Sequence, residues 1–289
     1  MLGKVVVVGF AALLLMMAAA ILYGIRRWES ETKELYAKME AVRVPIVQAY
    51  FDPGELEGLP APVQRYFRIV LKKGQPLIRA VNVEHAGTFN MSETGEQWKS
   101  FRSSQRVIVR RPGFVWDARI RMTPGINVHV HDAYVAGEGV LTAKLFGLVT
   151  VMKQPGSSEL ARGELMRFFA EAAWYPTALL PSQGVCWEEV DAGSARATLV
   201  DGELSLTMLF TFSNEGLIET VRTEDRGRIS GDQIIFTPWQ GRFWDYHDYN
   251  GMLIPLDGEA AWLMPEGAKP YWRGRIQRIE HEMSHSKSQ

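Results

Sequence analysis

The spacing of apolar and polar positions divides the chain into zones. From Val5 to Ile25 no charged residue interrupts the apolar run. Roughly twenty helical residues at ~1.5 Å rise cover the ~30 Å hydrocarbon thickness of a bilayer. The run therefore predicts one membrane-spanning helix within residues 1–27, stopped by Arg26 and Arg27. A cleaved signal peptide competes with this reading, because Lys4 supplies a charged start and Ala18, Ala19 and Ala20 supply small residues near a cut. The continuation of the run through Ile21, Leu22 and Ile25 favours the anchor. Residues 28–58 follow as a helical stalk and linker: WESETKELYAKMEAVRV is rich in Glu, Lys and Ala, Pro45 ends it, and FDPGELEGLP is a break.

Residues 59–283 read as one domain. In LPAPVQRYFRIVLKKG, the residues Val63, Tyr66, Phe67, Val70 and Leu71 fall on one helical stripe, with Pro62 in the first turn and Gly74 past the end. From Leu77 to Met152 the period drops to two, in segments rich in Val, Ile, Thr and aromatics. A second such run covers Val185 to Met283, with Asp201-Gly202 and Asn250-Gly251 as short-hairpin signals. Between the runs, SELARGELMRFFAEAAW predicts a helix over 159–173 with Ser158 as its N-cap. Leu165, Phe168, Phe169 and Ala172 form its apolar stripe, and Glu164, Arg167 and Glu171 lie on the other side at pairing distance. Residues 284–289 read as a disordered tail.

The segment that follows this helix, WYPTALLP, is apolar where a connection is normally polar. The strands also carry more apolar faces than they can bury on one another. The economical arrangement lays the helix and its loop across the concave side of one sheet. The fold class is thus mainly β (α+β): a strongly curved antiparallel sheet or incomplete barrel covered by a few helices, preceded by a transmembrane helix. No βαβ alternation appears.

Composition narrows function by exclusion. The chain has 289 residues, 46% hydrophobic and 22% charged, which is globular. A net charge of −1 gives no basis for binding nucleic acid. Cys186 is the only cysteine, so no intrachain disulfide forms. Arg26, Arg27, Lys33 and Lys38 outweigh Lys4, yet a short one-lysine tail is also usual for the opposite topology, so the side of the membrane stays open.

Candidate chemistry is sparse. His129 and His131 alternate on a strand and point the same way, the best metal pair, with His85, His247 or Asp248 as a third ligand. Two histidines on a strand's solvent face are the commoner explanation. Cys186 between Val185 and Trp187 reads as a small packed residue rather than a nucleophile. Asp245, His247 and Asp248, and Glu188, Glu189 and Asp191, form acidic clusters that alternate as solvent-facing positions do. No nucleophile elbow, phosphate loop, dinucleotide fingerprint or zincin helix is present.

The segments RVIVRRPGFVWDARI, LSLTMLFTFSNEGLIETVRTED and GRFWDYHDYNGMLIPLDGEAAW resemble successive strands of the lipoprotein-carrier superfamily, the LolA/LolB-like proteins. Residues 59–282 also resemble an uncharacterised bacterial family of membrane-anchored domains through PGFVWDARI, WYPTALLP and PYWRGRI. The resemblance implies a bent sheet whose hollow receives acyl chains or other lipophilic molecules, and a single-pass protein of the bacterial inner membrane. The expected lining is Trp116, Leu165, Phe168, Phe169, Trp174, Tyr175, Leu179, Leu180 and Trp187. The expected partners are the bilayer through residues 5–25 and a lipid or lipophilic ligand, with no cofactor. The alternatives are a metal-dependent or other hydrolase acting on a membrane-derived substrate, and a protein-interaction domain.

Overall fold

The computed structural model describes residues 2–92, 95–230 and 233–284. Two antiparallel meanders share a single 13-stranded sheet. The first runs through β1 (Ile78–Asn90), β2 (Trp98–Ile108), β3 (Gly113–Thr123), β4 (Ile126–Val135), β5 (Glu138–Leu145) and β6 (Val149–Lys153). The second runs through β7 (Cys186–Asp191), β8 (Ser194–Asp201), β9 (Leu204–Phe212), β10 (Ile218–Ser230), β11 (Gln233–Tyr249), β12 (Met252–Met264) and β13 (Gly267–Met283). β1 pairs with β13, so the domain's first and last strands meet in the middle of the sheet while β6 and β7 form its two edges. The fold class read from the sequence holds: a mostly β chain with one open antiparallel sheet and few helices.

Three helices complete the chain: α1 (Leu2–Ala41), α2 (Ala61–Val70) and α3 (Ser158–Ala170). α3 and three short 3-10 turns join edge strand β6 to edge strand β7. A connection between opposite edges of a curled sheet has to cross the concave side. That topology is why the loop is apolar: Trp174, Tyr175, Leu179 and Leu180 are all buried.

The sheet bends at a row of glycines. Gly87 of β1 pairs with Gly274 of β13, which pairs with Gly258 of β12. A Cβ at Gly274 would stand 2.3 Å from the Trp272 ring, and one at Gly87 would stand 2.0 Å from the Arg273 carbonyl oxygen. Only glycine admits this close approach, and a strand glycine removes the side chain that resists coiling.

The apolar stripes predicted for α2 and α3 are buried as a whole. α3 begins one residue earlier than expected: Ser157, not Ser158, is the N-cap, its hydroxyl accepting from the Leu160 amide at 3.1 Å. The Asn250-Gly251 hairpin has both central residues at positive φ (54° and 80°). At the β8–β9 turn only Gly202 does, and Asp201 belongs to the ladder opposite Leu204. Of residues 284–289, Ser284 is a turn residue that donates its amide to the Leu77 carbonyl, and the others lie outside the described residues.

α1 is continuous from the apolar run into the Glu- and Lys-rich segment, and that second half lies on the convex face of the sheet. Met39 packs with Ala80, Ile108, Val115, Ala133 and Val135. Strands covered on both faces lose the polar alternation of a solvated sheet, and residues 113–116 and 128–131 are buried without interruption. Arg106 and Arg43 bind Glu40 and Glu282, fastening the end of α1 to β2 and β13. The first half of α1 is bare and apolar, a candidate membrane span or signal sequence.

Candidate functional site

The concave side is only partly filled. α2 and the apolar stripe of α3 close one half, where Phe169 meets Phe210 with ring centroids 5.4 Å apart and Trp187 meets Phe210 at 5.1 Å. The other half, between α3 and strands from both meanders, keeps a cavity of about 950 Å³. This is at the upper end of the range for small-molecule sites. Its walls include Ile120, Val130, Leu141, Ala143, Phe243 and Trp262.

Of the nine residues expected to line a hollow, Trp116 and Trp174 do so. Trp174 marks the boundary, its ring 5.8 Å from Phe243 and 4.8 Å from His85. Leu165, Phe168, Phe169, Tyr175, Leu179 and Leu180 are buried in the closed half, and the Tyr175 hydroxyl donates to the Phe168 carbonyl at 2.6 Å. Trp187 is half-buried beside them, donating its indole N–H to the Leu179 carbonyl at 3.0 Å.

The cavity wall also holds a charged belt that the apolar reading overlooked. The polar side of α3 faces inward, not to water. The Arg167 guanidinium donates to Glu171 at 2.7 Å, to Asp132 at 2.6 Å and to Gln105 at 3.0 Å. It is stacked over Phe114 and Trp116, with its central carbon 4.8 and 5.0 Å from the ring centroids. Gln105 donates in turn to Glu171 at 2.6 Å. Arg226 of β10 lies over Trp239 at 4.7 Å. Glu164 is buried, and burial, then the Asp132 charge, push its carboxyl well above the usual range. The only sequence signal for this belt was the spacing of Glu164, Arg167 and Glu171, which reads equally well as a solvated helix face.

The structure does not assemble the expected metal ligands. His129 and His131 do share a face, but it is the convex one, sealed under α1 rather than open to solvent. The His131 ring stacks on Trp28 at 3.7 Å and shares a 2.7 Å hydrogen bond with Thr32. Asp117 accepts from the Trp28 indole at 2.9 Å and from Thr32 at 3.1 Å. Burial lowers the pKa of both histidines, His131 to about 4. His85 lies on the opposite side of the sheet against Trp174 and Trp272, also buried, its pKa lowered to about 3 by burial and then by Arg167. His247 is exposed at the end of β11 with Asp245, at 3.0 Å. No group of three or more metal-ligating side chains occurs among the described residues. Cys186 is exposed, not packed: β7 turns Trp187 inward and its neighbours outward.

The domain is thus a mostly β unit, one open antiparallel sheet with a partly polar hollow beneath α3, preceded by an apolar N-terminal helix. The chain belongs to DUF6920, a family of unknown function, whose profile matches residues 57–281. No curated protein matches it in sequence. Among solved structures it is similar to a LolA superfamily protein, NE2245 from Nitrosomonas europaea: 10% identity, 78% of this chain and 94% of that one, TM-score 0.34. It is also similar to a beta-barrel-like protein of the DUF1849 domain of unknown function from Brucella abortus: 8% identity, 71% and 99% coverage, TM-score 0.23.

Proposed function

We propose that this protein is a membrane-anchored, non-enzymatic module that binds a lipid or similar lipophilic molecule in the hollow beneath α3. The cavity carries the reading: about 950 Å³ of space, with many aliphatic and aromatic side chains in its wall. Apolar surface of that extent gains free energy when it is covered, at ~25 cal/mol per Å². The belt of Asp132, Glu164, Arg167 and Arg226 gives the wall one polar side, which suits an amphiphile with a hydrogen-bonding end better than a pure hydrocarbon. α1 holds the module at the bacterial inner membrane, where it accepts or presents lipid locally; a tethered protein cannot carry cargo across a compartment.

Native mass spectrometry of the full chain, released gently from lipid nanodiscs, tests this. Co-purified lipid in stoichiometric amount is expected, and its loss on filling the cavity with Ala143→Phe. A protein that never carries lipid, with or without the substitution, overturns the reading. The hydrolase alternative keeps one supporting observation, the buried Glu164 in the cavity wall, its carboxyl pushed up by burial and by the charge of Asp132. Its metal-dependent form loses ground because His129 and His131 face away from the cavity.

A further inference from the structure

The rim of the hollow and the N-terminal helix meet at one place. The β5–β6 turn carries Phe146 and Gly147, both at positive φ (55° and 68°), and packs backbone to backbone on α1. A Cβ at Gly24 would stand 2.6 Å from the Phe146 carbonyl oxygen, and one at Gly147 would stand 2.8 Å from the Gly24 oxygen. Gly24 lies within the apolar run, just before Arg26 and Arg27. With α1 across a bilayer, the turn sits where hydrocarbon gives way to headgroups.

The surface at that level has the matching composition. Leu148, Val149, Val151 and Met152 are exposed, Val149 and Val151 by 55% and 56%. At the same end of the alternating strands, the start of β11 exposes Ile234, Ile235 and Phe236, the last by 60%. Arg121 and Lys153 are exposed at the margin. An apolar patch edged by cations suits a bilayer surface with anionic lipid. Val151, Met152 and Ile234 also line the hollow, so this patch and the cavity mouth are one rim.

We propose that the β5–β6 edge and the start of β11 are two lips seated in the headgroup layer beside α1, so that the hollow opens directly onto that leaflet. A lipid then enters without its chains crossing bulk water. This rests on the membrane-anchored reading and adds the contact surface and the entry route. The backbone contact at Gly24 fixes the height of the first lip; the register of the antiparallel strands fixes the second at the same end.

The test uses the full chain in nanodiscs of phosphatidylglycerol and phosphatidylcholine. In a Cys186→Ser background, single cysteines replacing Leu148, Phe236 or Asn214 carry an environment-sensitive fluorophore. Asn214 lies in the β9–β10 turn at the opposite end of the strands. Blue-shifted emission quenched several-fold by brominated lipid is expected at 148 and 236, and water-like emission at 214. Water-like, unquenched emission at 148 or 236 overturns the lips, as does equal quenching at all three positions. Lipid retention is scored separately by mass spectrometry on the same samples. Quenched lips without retained lipid would sink the binding reading alone, and retained lipid with unquenched lips would sink the entry route alone.

Discussion

The two halves of the concave side are built from similar residues and end in opposite states. In the closed half, Val63, Tyr66 and Phe67 of α2 and Leu165 and Phe169 of α3 are buried against the strands behind them and do not line the cavity. In the open half, α3 turns Gly163, Glu164 and Arg167 toward strands carrying Ala143, Gly241 and Gly258. Apolar content does not separate a core from a binding wall. Side-chain size and the face a helix presents do: a small or charged face cannot fill the space opposite, and the charged one has to be satisfied within its own belt.

The sharpest way to break this comparison is in the closed half. Leu179→Ser with Leu180→Ser places two hydroxyls at fully buried positions and removes two large side chains, each at about 3 kcal/mol or more. Loss of a cooperative melt is expected; a cooperative melt with lower lipid content would instead assign these residues to the ligand. Next comes the belt. Arg167→Met leaves Asp132 and Glu171 without their cation and costs about 3 kcal/mol, seen in urea unfolding at pH 7.

The third prediction uses pH. His85 is held neutral in the fold, its pKa about 3 against 6.5 in the unfolded chain. Its contribution is therefore complete above pH 6.5 and lost as pH falls from there toward 3, about 2 kcal/mol by pH 5. Glu164, raised by burial, works in the opposite sense, its contribution being lost as pH rises above 4.5. The measurement is thus the difference in unfolding free energy between pH 7 and pH 5, which His85→Gln should reduce by that amount. Smallest in stability and most informative about the open half is Ala143→Phe. It should shift unfolding by at most about 1 kcal/mol, because space is present, while abolishing lipid retention. A loss of several kcal/mol would show that the cavity collapses in solution.

Much of the architecture was legible because periodicity is a property of single segments. The strand runs, the α2 stripe of Val63, Tyr66, Phe67 and Val70, and the α3 stripe all follow from spacing alone. The apolar loop Trp174–Leu180 correctly announced that something covers it, but the covering is mostly core, with Trp174 alone reaching the cavity. A void has no periodicity, and an inward charged face has the same spacing as an outward one, so Glu164, Arg167 and Glu171 read as solvated. His129 and His131 were misplaced for a related reason: that α1 folds back on the convex face is a tertiary fact. Cys186 was misread because an edge strand has one face against the core, and Trp187 takes it. Gly87, Gly258 and Gly274, on three neighbouring strands, are the residues in the sequence that bear on the bend.

The pairing of β1 with β13 bears on synthesis. Because Ile78–Asn90 precedes Gly267–Met283 by almost the whole domain, the outer edge of β1 has no partner until β13 has been made. The N-terminal meander must wait with an unprotected strand, a period in which a stray chain is able to pair with it. Removing β13, a seventeen-residue strand, would split the sheet along its midline into two six-stranded ribbons, joined only through α3 and its following turns.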